Sequence, residues 1–193
     1  MSTSSASSAL SVATHAAPLA ATAHASLRRG LPQPGDLVFY RSRGTIGDRL
    51  IVAWTGPGDA VHVEVVGKDP RYSFGALRSG VERHLIPLGG FVVATADLLD
   101  AQRLKDGLAW LEMQRGNGYG FGDLGNDFIN GLAQRVFHRR VPLLVDPRRL
   151  DCSDLATRFL DHAGYPLGDD LIDAPTLVSP NSLGRALGVI PSR

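Results

Sequence analysis

Leu150-Asp151-Cys152-Ser153-Asp154-Leu155 is the stretch from which the rest of this chain is best read. Asp151 is a natural N-cap, and Ser153 and Asp154 suit a first helical turn. The helix so begun runs to about His162, with Gly164 as its stop. Cys152 is the chain's one cysteine, so an intrachain disulfide framework and a multi-cysteine zinc site are both excluded. A lone cysteine is more often a buried small hydrophobe than a reactive group. Its place at a helix start favours the other reading, because unpaired N–H groups and the macrodipole stabilise a thiolate. The Cys152 amide also points where a developing oxyanion would lie.

A thiol nucleophile needs a base. His62 lies ninety residues upstream, in the strand-like run Val61-His62-Val63-Glu64-Val65-Val66. Imidazole titrates near neutrality, so it can take the thiol proton and return it to a leaving group. Alternation puts His62, Glu64 and Val66 on one face and Val61, Val63 and Val65 on the other. Glu64 is the candidate to orient the ring, with Asp59 and His84 as alternatives. Tyr40, at the end of the first strand, is a candidate to line the cleft or assist the oxyanion site. His15 and His24 lie in the N-terminal segment, and His162 is ten residues past the thiol on the same helix.

Working outward, the 193 residues suit one domain and a tail. Met1–Ser26 is rich in Ser, Ala and Thr and lacks the basic start and apolar centre of a signal peptide. It reads as a flexible tail, or an arm that orders on a protein assembly, and the domain is expected over residues 30–193 after a tail of 1–29. A net charge of +1 argues against a nucleic-acid binder. No run of apolar residues is long enough for a membrane span. Arg135, Arg139, Arg140, Arg148 and Arg149 read as a solvated basic surface or an anion contact.

Strands are expected at Asp36–Arg41, Val61–Val66, Tyr72–Leu77, Val81–Ile86 and Phe91–Ala96. Helices are expected from Thr45 to Trp54, from Thr95 or Asp97 to about Gln114, over Phe128–Phe137, and after Asn181. Val141–Val145 reads as a short strand or loop. This order indicates an α+β domain with a small antiparallel sheet packed on helices.

Three of these segments resemble the NlpC-type papain-like cysteine peptidases. Pro34-Gly35-Asp36-Leu37 is similar to their opening strand, Val61–Gly67 to their histidine strand, and Asp151-Cys152-Ser153-Asp154-Leu155 to their nucleophile motif. Histidine precedes cysteine here, which is the order of the circularly permuted, YiiX-like branch. The resemblance spans about Pro34–Tyr165. It implies a permuted papain-like fold and amide hydrolysis, with Cys152, His62 and Glu64 catalytic and Tyr40, Tyr119 and Ser153 near the substrate. It implies no cofactor and no metal. A peptidoglycan fragment is the expected substrate, with a phage tail or other delivery machine as carrier; an acyl substrate or a degenerate structural module are the alternatives. Permuted members carry Glu or His on the strand after the catalytic one, whereas Tyr72–Val81 contains neither. The third residue is therefore missing, displaced to Glu64, or dispensable.

Overall fold

The computed structural model describes residues 25–46, 48–49, 52, 58–77, 79–119, 149–168, 171 and 178–191. Five strands form one antiparallel sheet: β1 (Leu37–Arg41), β2 (Ala60–Val66), β3 (Tyr72–Leu77), β4 (Gly80–Leu85) and β5 (Gly90–Val93). Their spatial order is β4-β3-β2-β1-β5. Three helices are described in full: α1 (Ala101–Met113), α2 (Cys152–His162) and α3 (Pro180–Ala186). The α+β class is as read from the sequence. Of the helix expected over Thr45–Trp54, the described residues Ile46, Asp48, Arg49 and Val52 are helical, and the Thr45 hydroxyl accepts the Asp48 N–H at 3.1 Å; Phe128–Phe137 and Val141–Val145 lie outside the described residues.

The sheet forms because its strands are β-branched and alternate. Leu37, Phe39, Val63, Val65, Phe74 and Ala76 join Leu155, Ala156, Phe159 and Leu160 of α2 in one buried core. At Gly107 of α1, an added Cβ would sit 2.8 Å from the Ala163 Cβ, so the missing side chain sets how closely that helix approaches the end of α2. On α2 itself, the Asp151 side chain accepts the Asp154 N–H at 2.7 Å, and Gly164 leaves the helix at φ 65°.

The β1–β2 ladder pairs Tyr40 with His62 but Arg41 with Ala60, so Val61 is an extra residue on β2. Such a bulge bends the strand and re-aims the side chains beside it, and His62 is the next residue. Asn181, fully buried at the start of α3, accepts the Ala60 N–H at 3.0 Å and ties that end of β2 to the helix. Replacing Asn181 with leucine leaves the buried Ala60 donor without that acceptor. A loss of about 1–3 kcal/mol is expected in denaturant unfolding.

Two expectations need correction. The helix expected from Thr95 or Asp97 breaks. A 3-10 turn covers Ala96–Leu98, Leu99 is extended, and α1 starts after Asp100, whose side chain accepts the Arg103 N–H at 2.8 Å. Asp97 is held instead by Arg28. The second concerns the boundary placed at Gly30. Residues 25–29 belong to the folded domain. Leu27 bridges to Val93, Arg28 donates its N–H to the Val92 carbonyl, and Ala25 donates to the Leu187 carbonyl. Composition makes this segment look like tail, but it is attached through its backbone and through the Arg28 side chain.

Candidate active site

The Cys152 thiol stands at the first helical position of α2, where a backbone N–H has no intrahelical acceptor. The start of α2 is fixed from both sides. Before it, β7 (Arg149–Leu150) pairs in parallel with β6 (Gly118–Tyr119), placing the Tyr119 backbone opposite Leu150. After it, the buried Asp151 cap accepts from Asp154 and from the Ser153 hydroxyl at 3.1 Å. Burial pushes the Asp151 carboxyl up to about 7, against the pull of those donors. Ser153, expected beside the substrate, is buried and holds the cap. Tyr119 is near the helix start by its backbone; its side chain lies outside the described residues.

His62 meets Cys152. Cys152 lies within interaction range of the imidazole and raises its pKa, and ring Nε2 lies 3.0 Å from Glu64 Oε1, which leaves Nδ1 for the sulfur side. Burial disfavours the charged ring, but the charge and hydrogen bond of Cys152, joined by Glu64, outweigh it and hold His62 up at about 10. The three expected catalytic residues therefore form one chain, Cys152–His62–Glu64.

Glu64 is almost wholly buried, at 2% exposure. A carboxylate there needs partners, and it has them. Ser73 Oγ donates to Oε2 at 2.6 Å, Tyr40 Oη donates to Oε2 at 3.1 Å, and His84 Nε2 lies 3.2 Å from Oε1. Burial raises the Glu64 pKa, but His62 first, then Ser73 and His84, bring it below the usual value. Tyr40, expected as a cleft or oxyanion residue, uses its hydroxyl on Glu64, with its ring 5.8 Å from that of His62. Burial and the adjacent carboxylate raise its own pKa.

Sequence reading left Glu64 open because residues two apart on a strand need not touch. Ser73 was missed, though it comes from the segment searched for Glu or His. A hydroxyl there serves the carboxylate displaced to β2. Asp59, the other alternative, pairs with Arg41 at 3.5 Å. Both belong to a cleft of 310 Å³ that Phe91 and Ile190 also line, but that neither Cys152 nor His62 lines.

No protein-family model matches the chain, and no curated protein is significantly similar to it. The crystal structure of metalloprotein YiiX from Escherichia coli superposes with a TM-score of 0.52, covering 84% of this chain and 94% of that one, at 20% identity. The fold is YiiX-like. In this fold the His62 strand comes ahead of the Cys152 helix. Among the described residues, no helix is long and apolar enough to cross a membrane.

Proposed function

We propose that this protein is a cysteine hydrolase that cleaves amide bonds, with peptidoglycan stem peptides as its substrate class. One observation carries the reading: a thiol at a helix N-terminus, beside an imidazole whose far nitrogen is held by a buried carboxylate. This is the arrangement of an activated nucleophile, its base and an orienting group. Cys152 sulfur attacks the amide carbonyl, forming a C–S bond, and the oxyanion faces the Cys152 N–H. The His62 imidazolium gives its proton to the leaving nitrogen as the C–N bond breaks. His62 then takes a proton from water, whose oxygen attacks the thioester. The C–S bond breaks, and the acid leaves with the thiolate restored. Glu64 keeps the ring in place and stabilises its positive charge.

YiiX is described as a metalloprotein. Here His62 and His84 both turn Nε2 toward one oxygen of Glu64, and among the described residues no group of three His, Cys, Asp or Glu is disposed to hold a metal. The described residues do not fit a metal centre.

The test is incubation of wild type and Cys152→Ala with stem-peptide fragments, and separately with a long-chain acyl ester, followed by mass spectrometry. Amide cleavage by wild type alone, with an acyl adduct on Cys152 after acid quench, is expected. Ester cleavage without amide cleavage, or no turnover and no adduct, overturns the proposal.

A further inference from the structure

Two imidazoles converge on one carboxylate oxygen. His84, on β4, brings Nε2 to 3.2 Å from Glu64 Oε1, the atom that also holds His62 at 3.0 Å. The contact depends on Gly75. A Cβ there would stand 3.0 Å from Glu64 Oε1 and 3.2 Å from His84 Nε2. The other His84 nitrogen, Nδ1, lies 3.0 Å from the Leu85 carbonyl oxygen. A carbonyl oxygen can only accept, so Nδ1 carries a hydrogen. A neutral His84 would then turn a bare Nε2 lone pair toward the carboxylate. That Nε2 is buried and has no aligned hydrogen-bond partner. The arrangement is favourable only with both nitrogens protonated, when His84 is a cation beside Glu64.

Among the described residues, Glu64 is the charged group in contact with His84. On this face, β2 contributes Glu64 and His62, β1 contributes Tyr40, and β4 itself contributes Glu82. The β3 residues there, Ser73 and Gly75, are uncharged. Arg71 and Arg83 lie against the Tyr72 ring, which by alternation is on the opposite face.

We infer that His84 is a positioning residue that acts through Glu64: its imidazolium competes with that of His62 for Oε1, and its deprotonation releases Glu64 wholly to His62. This rests on the proposed thiol chemistry for its catalytic consequence, but not for its physical content. Loss of the His84 proton strengthens the hold of Glu64 on the His62 imidazolium and so favours the thiolate. Reactivity of Cys152 therefore rises across the His84 titration, over and above the ionisation of the thiol itself.

The experiment follows two signals in wild type and His84→Gln, an uncharged side chain that can still donate to Oε1. In proton NMR, the wild-type His62 Cε1–H resonance should show its own titration and a second inflection coinciding with that of the His84 Cε1–H. The second inflection should vanish in His84→Gln. In parallel, iodoacetamide alkylation of Cys152 should gain roughly threefold or more across the His84 midpoint in wild type, with no such step in His84→Gln. Absence of the second His62 inflection in wild type overturns the inference, and so does its survival in His84→Gln. A variant that loses thermal stability but keeps both wild-type profiles shows packing alone, which also overturns it. If Cys152 alkylates as an ordinary thiol, the hydrolase proposal fails, and the NMR arm still decides the His84 coupling. Should His84→Gln not fold, His84→Asn takes its place and the wild-type NMR criterion stands.

Discussion

His62→Ala is expected to slow iodoacetamide alkylation of Cys152 at pH 6 by roughly ten- to thirtyfold. A thiol at the reference value is only about 0.3% ionised at that pH, so a neighbouring imidazolium that supports the thiolate has a large effect on reactivity. The imidazolium is available because Cys152 and Glu64 hold the His62 pKa at about 10. Loss of the ring therefore lowers the supply of thiolate. Part of that loss returns, because a more basic thiolate is the better nucleophile. The start of α2 keeps part of the effect in the mutant. An unchanged rate would remove the ion pair from the account. Stability carries the same sign. A histidine raised from 6.5 to about 10 on folding contributes stability that is complete below 6.5 and lost as pH rises through 10. Between pH 7 and 10 the Tm should fall more steeply in wild type than in His62→Ala.

Much of this site was legible in the sequence because its logic is local. Alternation alone put His62 and Glu64 on one face, and the Asp151 cap put Cys152 at a helix start. What was not legible depends on partners distant in sequence. The bulge at Val61 exists only in the register with Tyr40 and Arg41. Asn181 reads as one more polar residue near a helix start until the Ala60 N–H, on a distant strand, is set against it. Ser73 carries no charge and drew no notice, yet it makes the shortest hydrogen bond to Glu64. The start of α1 was misplaced because Thr95, Asp97 and Asp100 are all cap residues. The tertiary demand of Arg28 decides among them, by taking Asp97.

Arg28→Ala is expected to destabilise the domain by about 3–5 kcal/mol, which corresponds to roughly 10 °C or more in Tm. Asp36 belongs to the Pro-Gly-Asp motif that opens β1, and its carboxylate is fully buried. Arg28 donates to both of its oxygens, with Nη2 to Oδ1 at 3.1 Å, and the same guanidinium reaches Asp97 at 2.8 Å. The carboxylate also accepts the Gln33 N–H at 2.8 Å. Removing Arg28 leaves the Gln33 N–H and, at 3.4 Å, the Ala96 N–H to support a buried negative charge, which is the costly way to break an ion pair. Arg28→Met combined with Asp36→Asn should recover most of the loss, since the amide oxygen can still accept from Gln33 and no charge remains buried. Arg71→Ala, on the exposed Arg71–Asp69 pair, is the control and should leave the Tm almost unmoved. If Arg28→Ala behaves like that control, Asp36 is not held by its arginine, and the folded domain need not include residues 25–29. If it behaves as expected, the same ion pair anchors the strand that carries Tyr40, so a residue outside the recognised motif supports the orientation of Glu64 from the far end of β1.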